Sequence, residues 1–70
     1  MREHTETYRV VGMTCDHCVR AVTQELDALE GVRAVAVDLE AGTATVTSVA
    51  PLEQDAVRAA VDEAGYELVP

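Results

Sequence analysis

Residues 6–31 read ETYRVVGMTCDHCVRAVTQELDALEG, and the spacing of their apolar side chains changes period partway along. Up to Val11 the residues alternate, with Tyr8 and Val10 on one face and Arg9 on the other, as in a half-buried strand. Gly12 interrupts that pattern. From Cys15 to Glu30, Val19, Val22, Leu26 and Leu29 recur at spacings of three and four, while Arg20, Glu25 and Asp27 lie off the stripe. That is an amphipathic helix whose four aliphatic residues face the core. Thr14 reads as its N-cap, Asp16 complements the positive end of the helix dipole, and Gly31 stands where a left-handed stop is expected.

The rest of the chain repeats the theme. Val35, Val37 and Leu39 alternate with Ala34, Ala36 and Asp38 to give a second strand, and Glu40-Ala41-Gly42 reads as a short hairpin loop. Thr43–Val49 is rich in Thr and Val, with Ala44, Val46 and Ser48 on one face and three threonines on the other. Pro51 suits the first position of a second helix, whose buried stripe would be Leu52, Ala56, Val57, Ala60, Val61 and Ala64. Gly65 ends it, and Tyr66–Val69 forms a last strand with Tyr66 and Leu68 on one face. The order β-α-β-β-α-β contains two βαβ halves, a weak internal repeat. It predicts an α+β, ferredoxin-like sandwich: a four-stranded antiparallel sheet with two helices on one face. No linker divides residues 1–70, so they form a single domain, with residues 1–5 expected to fray.

Composition narrows the function. A chain of 70 residues buries only roughly 60% of its unfolded surface, which leaves little room for a deep cleft with several catalytic elements. Thirteen acidic residues face five arginines and no lysine, for a formal net charge of −8. That sign opposes binding to nucleic acid or to an anionic membrane, and it favours cations or partners with basic surfaces. The polar start MREHTETYRV has no apolar region of a signal peptide, and no apolar run approaches the ~20 residues of a membrane span. A cytoplasmic protein with no membrane insertion is expected. In that compartment two cysteines point to metal or redox chemistry rather than to a structural staple.

Both cysteines, one of two histidines and one of two methionines fall within Gly12–Cys18, GMTCDHC. Cysteines separated by two residues at a helix start can turn their sulfurs toward one point. The unpaired N–H groups of the first turn favour negative charge there, so thiolate becomes available near neutral pH. A pair of soft thiolates selects Cu(I) among biological ions. A closed structural zinc site normally takes four ligands, and the chain offers two cysteines.

In its place at the start of helix one of a βαββαβ chain, GMTCDHC resembles the metal loop of the heavy-metal-associated domain family, and the resemblance covers nearly the whole sequence. That family includes cytosolic copper chaperones and the N-terminal domains of copper-exporting P-type ATPases. The resemblance implies that Cys15 and Cys18 are the Cu(I) ligands and that Met13 packs beneath the loop as a hydrophobic tether. It implies transfer of one ion to a partner's CxxC pair, the partner being a copper-transporting P-type ATPase or its metal-binding domain. Gly65-Tyr66 is similar to the Gly-Tyr that bacterial copper chaperones carry after helix two. Tyr66 then either shields the site and donates to a sulfur, or serves as the largest core residue of an aromatic-poor chain. His17, between the cysteines, either lies exposed or acts as a third, transient ligand, including within a copper-bridged homodimer. Asp16 departs from the small or neutral residue more usual in the family at that position and suggests surface recognition. Zinc- and cadmium-selective relatives place an aspartate just before the first cysteine, where this chain has Thr14.

Two alternatives accompany this reading. One changes the ion to mercury, zinc or cadmium; mercury-binding relatives share Gly-Met-Thr-Cys but are typically periplasmic with a signal peptide. The other is a thiol–disulfide oxidoreductase, since CxxC at a helix start is also the redox motif. The chain lacks the Trp-Cys-Gly-Pro-Cys context, and its element order differs from that of thioredoxin. The initial Met and short polar start favour a free protein over an excised ATPase domain.

Overall fold

The computed structural model describes residues 3–69. The elements are β1 (His4–Val11), α1 (Asp16–Asp27), β2 (Val32–Asp38), β3 (Thr43–Ser48), α2 (Gln54–Glu63) and β4 (Glu67–Val69). The strands form one antiparallel sheet in the order β2-β3-β1-β4. The helices pack on each other, with α1 over β2 and α2 over β4. This is the expected ferredoxin-like arrangement, with both helices on one face of the sheet.

Strand alternation sends Val10, Ala44, Val46 and Leu68 toward the helices, where they meet Val22, Leu26, Val57, Ala60 and Val61. Leu26, Val22, Val46, Val57 and Val61 are the largest fully buried side chains. Each contributes about 1.5–3 kcal/mol of transfer free energy. The N-terminal segment is more ordered than expected: His4 pairs with Ser48 and Thr5 with Thr47. Cross-strand threonines explain the extension of β1, since the Thr5 and Thr47 hydroxyls lie 3.4 Å apart and those of Thr7 and Thr45 3.1 Å apart. Expected fraying is thus corrected at residues 4 and 5, while residues 1 and 2 lie outside the described residues.

Both helices start at places other than those read from the sequence, and α1 also stops earlier, whereas α2 closes at Gly65 as read. The N-cap of α1 is Cys15, in extended conformation (φ −159°, ψ 175°), and Thr14 does not cap it. The helix ends at Asp27 with Ala28 as C-cap; Leu29 and Val32 then close tighter turns on the carbonyls of Leu26 and Leu29, so the left-handed Gly31 falls beyond the cap. The N-cap of α2 is Glu53, whose carbonyl accepts from the N–H groups of Ala56 and Val57. Pro51 therefore precedes the helix, and Leu52 leaves the extended lead-in to pack on the core. Leu39 lies in the turn after β2, and Tyr66 lies just ahead of β4.

The buried stripe of α1 is Cys18, Val22 and Leu26, spaced four apart, with Leu29 partly covered. Val19 is half-buried on the flank and stands outside the core cluster. The stripe keeps Val22 and Leu26 as expected and differs at its first position, where Cys18 rather than Val19 is buried.

Candidate metal centre

Gly12 leaves β1 at φ +104°, a conformation that disfavours side chains, and its Cα faces the ring of Tyr66. A Cβ added there would lie 3.2 Å from Tyr66 Cδ1. Met13 is half-buried against the core, so the loop is held from below by Met13 and from the side by the tyrosine ring. The chain then extends through Thr14 to Cys15, whose carbonyl accepts from the N–H groups of Cys18 (3.0 Å) and Val19 (3.3 Å). That single turn brings the sulfurs together, with Cys15 Sγ and Cys18 Sγ 3.6 Å apart. Both thiols are free; Cys15 is exposed, and Cys18 retains 7% of its accessible surface.

The Cys18 thiol is lowered from 9.0 to about 6, chiefly by the Thr14 backbone N–H and next by the Tyr66 hydroxyl, against the opposing effect of burial. The backbone N–H and side chain of Cys15 add smaller contributions. Thr14 Oγ1 also lies 3.8 Å from Cys18 Sγ. The donors that matter most thus sit in the loop ahead of α1, whereas the sequence argument placed them in its first turn. There the N–H of Cys18 itself is already bonded to the Cys15 carbonyl.

Tyr66 is placed by the end of α2. The Tyr66 N–H donates to the Val61 carbonyl (3.1 Å) and the Gly65 N–H to that of Asp62 (2.9 Å), with Gly65 at φ +95°. This is a Schellman closure, which turns the chain sharply and aims the residue after the glycine back toward the helix. The Tyr66 hydroxyl acts on Cys18. It is held protonated above its usual 10.0, first by Cys18, then by burial and the charges of Cys18 and Cys15. Both sequence readings of Tyr66 meet here, because the ring packs against the core while the hydroxyl addresses a sulfur.

His17 and Asp16 are exposed on the first turn of α1. Among the described residues no third His, Cys, Asp or Glu joins the two thiols. The site therefore offers two soft donors and leaves the other side of an ion to solvent or to another molecule. A four-coordinate ion would find only half its ligands here. Thiolate–metal bonds of about 2.3 Å, as for zinc, require sulfurs roughly 4.6 Å apart for a straight S–metal–S line. Taking up such an ion means a small opening of the pair, which exposed Cys15 can make more readily than buried Cys18. Sequence reasoning found both cysteines but missed the part played by the backbone of Thr14. The Gly-Met-Thr spacing carries no signal for it beyond the need for a turn.

Residues 7–67 match the model of the heavy-metal-associated domain. The chain is 39% identical over 64 residues to the copper chaperone CopZ of Bacillus subtilis, covering 90% of this chain and 93% of that protein. It is 43% identical over 65 residues to copper-transporting ATPase 2 of Rhizobium meliloti, covering 91% of this chain and 8% of the ATPase. Among solved structures, a CopZ metallochaperone superposes with a TM-score of 0.86 at 31% identity, over 94% of this chain and 100% of that one.

Proposed function

The chain belongs to the heavy-metal-associated domain family, and on that premise we propose that it is a cytoplasmic copper chaperone that carries one Cu(I) ion on Cys15 and Cys18. The observation that carries this reading is the thiol pair itself: two sulfurs 3.6 Å apart, one exposed at a helix N-cap and one buried. Two thiolates leave a Cu(I)-loaded site with a net charge of −1, stabilised by the N–H groups that already favour negative charge on Cys18.

Delivery follows from the asymmetry. An incoming thiolate approaches from the open side and bonds to the ion while Cys15, the exposed ligand, lets go. A second incoming thiolate then displaces Cys18. Each step exchanges one sulfur for another of the same kind, so no ligand-free ion forms and little barrier opposes transfer. The acceptor is a copper-transporting P-type ATPase or its metal-binding domain, a reading supported by this chain's similarity to one segment of such an ATPase. His17 is exposed and forms no metal-ligating cluster with the two thiols among the described residues; as a ligand it would act transiently or within a copper-bridged pair of chains.

Competitive titration against a Cu(I) chelator under reducing conditions, beside Zn(II) and Hg(II), tests the cargo. The expected result is one Cu(I) per chain, held more tightly than Zn(II). X-ray absorption of the loaded protein then reports two sulfur neighbours. Preference for Zn(II) or Hg(II), or copper uptake that survives Ser at both cysteines, overturns the reading.

A further inference from the structure

Strand β2 ends the sheet on the side away from β4, in the order β2-β3-β1-β4. It pairs with β3 alone, so among the described residues its other edge meets no strand. The direction of its main-chain groups follows from the register. The Val10 N–H bonds the Gly42 carbonyl at 2.8 Å, and Arg9 lies opposite Thr43. Alternation therefore turns the N–H and C=O groups of Thr43, Thr45 and Thr47 toward β2, where they face Asp38, Ala36 and Ala34. The N–H and C=O groups of Val35 and Val37 point the other way, out of the sheet edge. Ala34–Val37 holds no charge and no proline to blunt that edge, and the register shift of the strand pair lies ahead of it, between Val32 and Ala34. The side chains leave the approach open. Ala34 and Ala36 are small and exposed on the face without helices, while Val35 and Val37 are only half-buried on the side of α1.

We infer that this edge pairs with the same edge of a second copy of the chain, antiparallel about a twofold axis at Ala36. That register sets Val35 of each copy opposite Val37 of the other and Ala36 opposite itself. It is the register in which the outward N–H and C=O groups of Val35 and Val37 bond only one another, leaving none unpaired. On the helix side the half-buried valines close against their counterparts. On the other face the two Ala36 side chains are small enough for the ~4.5 Å Cα separation of a pair without mutual hydrogen bonds. Charge favours self-pairing over a foreign strand. Arg33 and Asp38 stand at opposite ends of this edge, both exposed, so an antiparallel copy brings plus beside minus at both ends. Arg33 already holds Glu3 at 3.3 Å, and Asp38 accepts from the Ala41 N–H at 3.1 Å. The further guanidinium donors and the second carboxylate oxygen leave capacity for the new partner. The opposing force is like charge. Each copy carries −8, α1 bears Asp16, Glu25 and Asp27 against Arg20, and Glu30 and Glu40 lie just beyond the ends of β2. One short edge against that repulsion gives a weak dimer. Gly42 and the metal loop lie at the Asp38 end of β2, so the antiparallel arrangement sends the two thiol pairs to opposite ends of one continuous sheet and leaves both open.

The test is sedimentation equilibrium and amide hydrogen exchange of the reduced full chain, with a chelator present so that no copper bridges two copies. In about 0.15 M salt, the average mass is expected to rise from monomer toward dimer between about 20 μM and about 2 mM protein. Over the same range the amides of Val35 and Val37 should exchange several-fold more slowly, while those of Thr5 and Thr7, across the sheet, stay unchanged. Ala36→Lys and Ala36→Glu alter an exposed position and should keep the folded far-UV circular dichroism. Each alone should remain monomeric at millimolar concentration, because like charges then meet at the axis, and an equimolar mixture of the two should associate. A wild-type chain that stays monomeric at about 2 mM overturns the inference, and so does association that Ala36→Lys leaves intact. Protection that grows with concentration at Thr5 and Thr7 instead of Val35 and Val37 also overturns it, in favour of a second copy on the opposite side of the sheet.

Discussion

The two strand-to-helix junctions hold equivalent places in the two βαβ halves, yet they are built differently. At the second, Leu52 directly precedes the N-cap Glu53 and packs on the core, in the staple position relative to buried Val57. At the first, exposed Thr14 directly precedes the N-cap Cys15, and the first buried helical side chain is a thiol, Cys18. Neither N-cap side chain caps its helix by a hydrogen bond to the first turn's backbone. The second junction compensates with aliphatic burial. The first is anchored by Met13 and the Tyr66 ring and turns its backbone donors toward sulfur. The same extended N-cap is thus backed by an aliphatic side chain in one half and by a thiol pair in the other.

Replacing both Cys15 and Cys18 by Ser should break the contrast most completely, abolishing Cu(I) uptake in chelator competition while far-UV circular dichroism retains the folded signal. Gly12→Ala strikes the first junction through the backbone. It forces a side chain onto φ +104° and against the Tyr66 ring, so copper affinity should drop by about 10- to 100-fold, as when groups supporting a metal ligand are lost. Leu52→Ala is the mirror experiment. It should lower stability by about 1 kcal/mol in urea denaturation and leave copper affinity unchanged, because it touches only the second junction.

A smaller effect separates the junctions by pH. Folding lowers the Cys18 thiol from 9.0 to about 6, so between those values the unfolded chain binds the extra proton. Its stabilising contribution is complete above 9.0, declines as pH falls, and is gone below about 6. Urea midpoints of the reduced, metal-free protein should therefore rise with pH across that window more steeply than those of Cys18→Ser. Tyr66→Phe should move the thiolate absorbance transition of Cys18 to higher pH. The smallest change is expected for His17→Ala, whose side chain stands in solvent: less than about a tenfold loss of affinity in the same competition assay. A collapse matching that of Cys15→Ser would place His17 among the ligands.

Much of this was legible in the residues. The switch from alternation to a spacing of three and four at Gly12 located β1 and α1, and the apolar stripe of α2 was read correctly at Val57, Ala60 and Val61. The N-caps were not legible, although Gly65 was read correctly as the stop of α2. Thr14 has the chemistry of an N-cap, but Met13 must reach the core first, which leaves Cys15 to open the helix. Cys18 was read as a ligand and so was left out of the core, although its spacing of four from Val22 and eight from Leu26 shows that it belongs there. The extension of β1 to His4 depends on cross-strand threonines, a long-range pairing invisible in a local window. The contact between Gly12 and Tyr66 joins residues more than fifty positions apart, and only the folded chain reveals it.

That contact has a mechanical consequence. Tyr66 hangs from the last turn of α2, held by the bond from its own amide to Val61, while its ring rests on the loop that bears the sulfurs. A visiting protein that pushes the ring aside to reach the ion also pulls on that turn. Arrival at one half of the molecule would therefore be felt as loosening at the end of the other, and the amides of Gly65 and Tyr66 would sense it without touching the visitor.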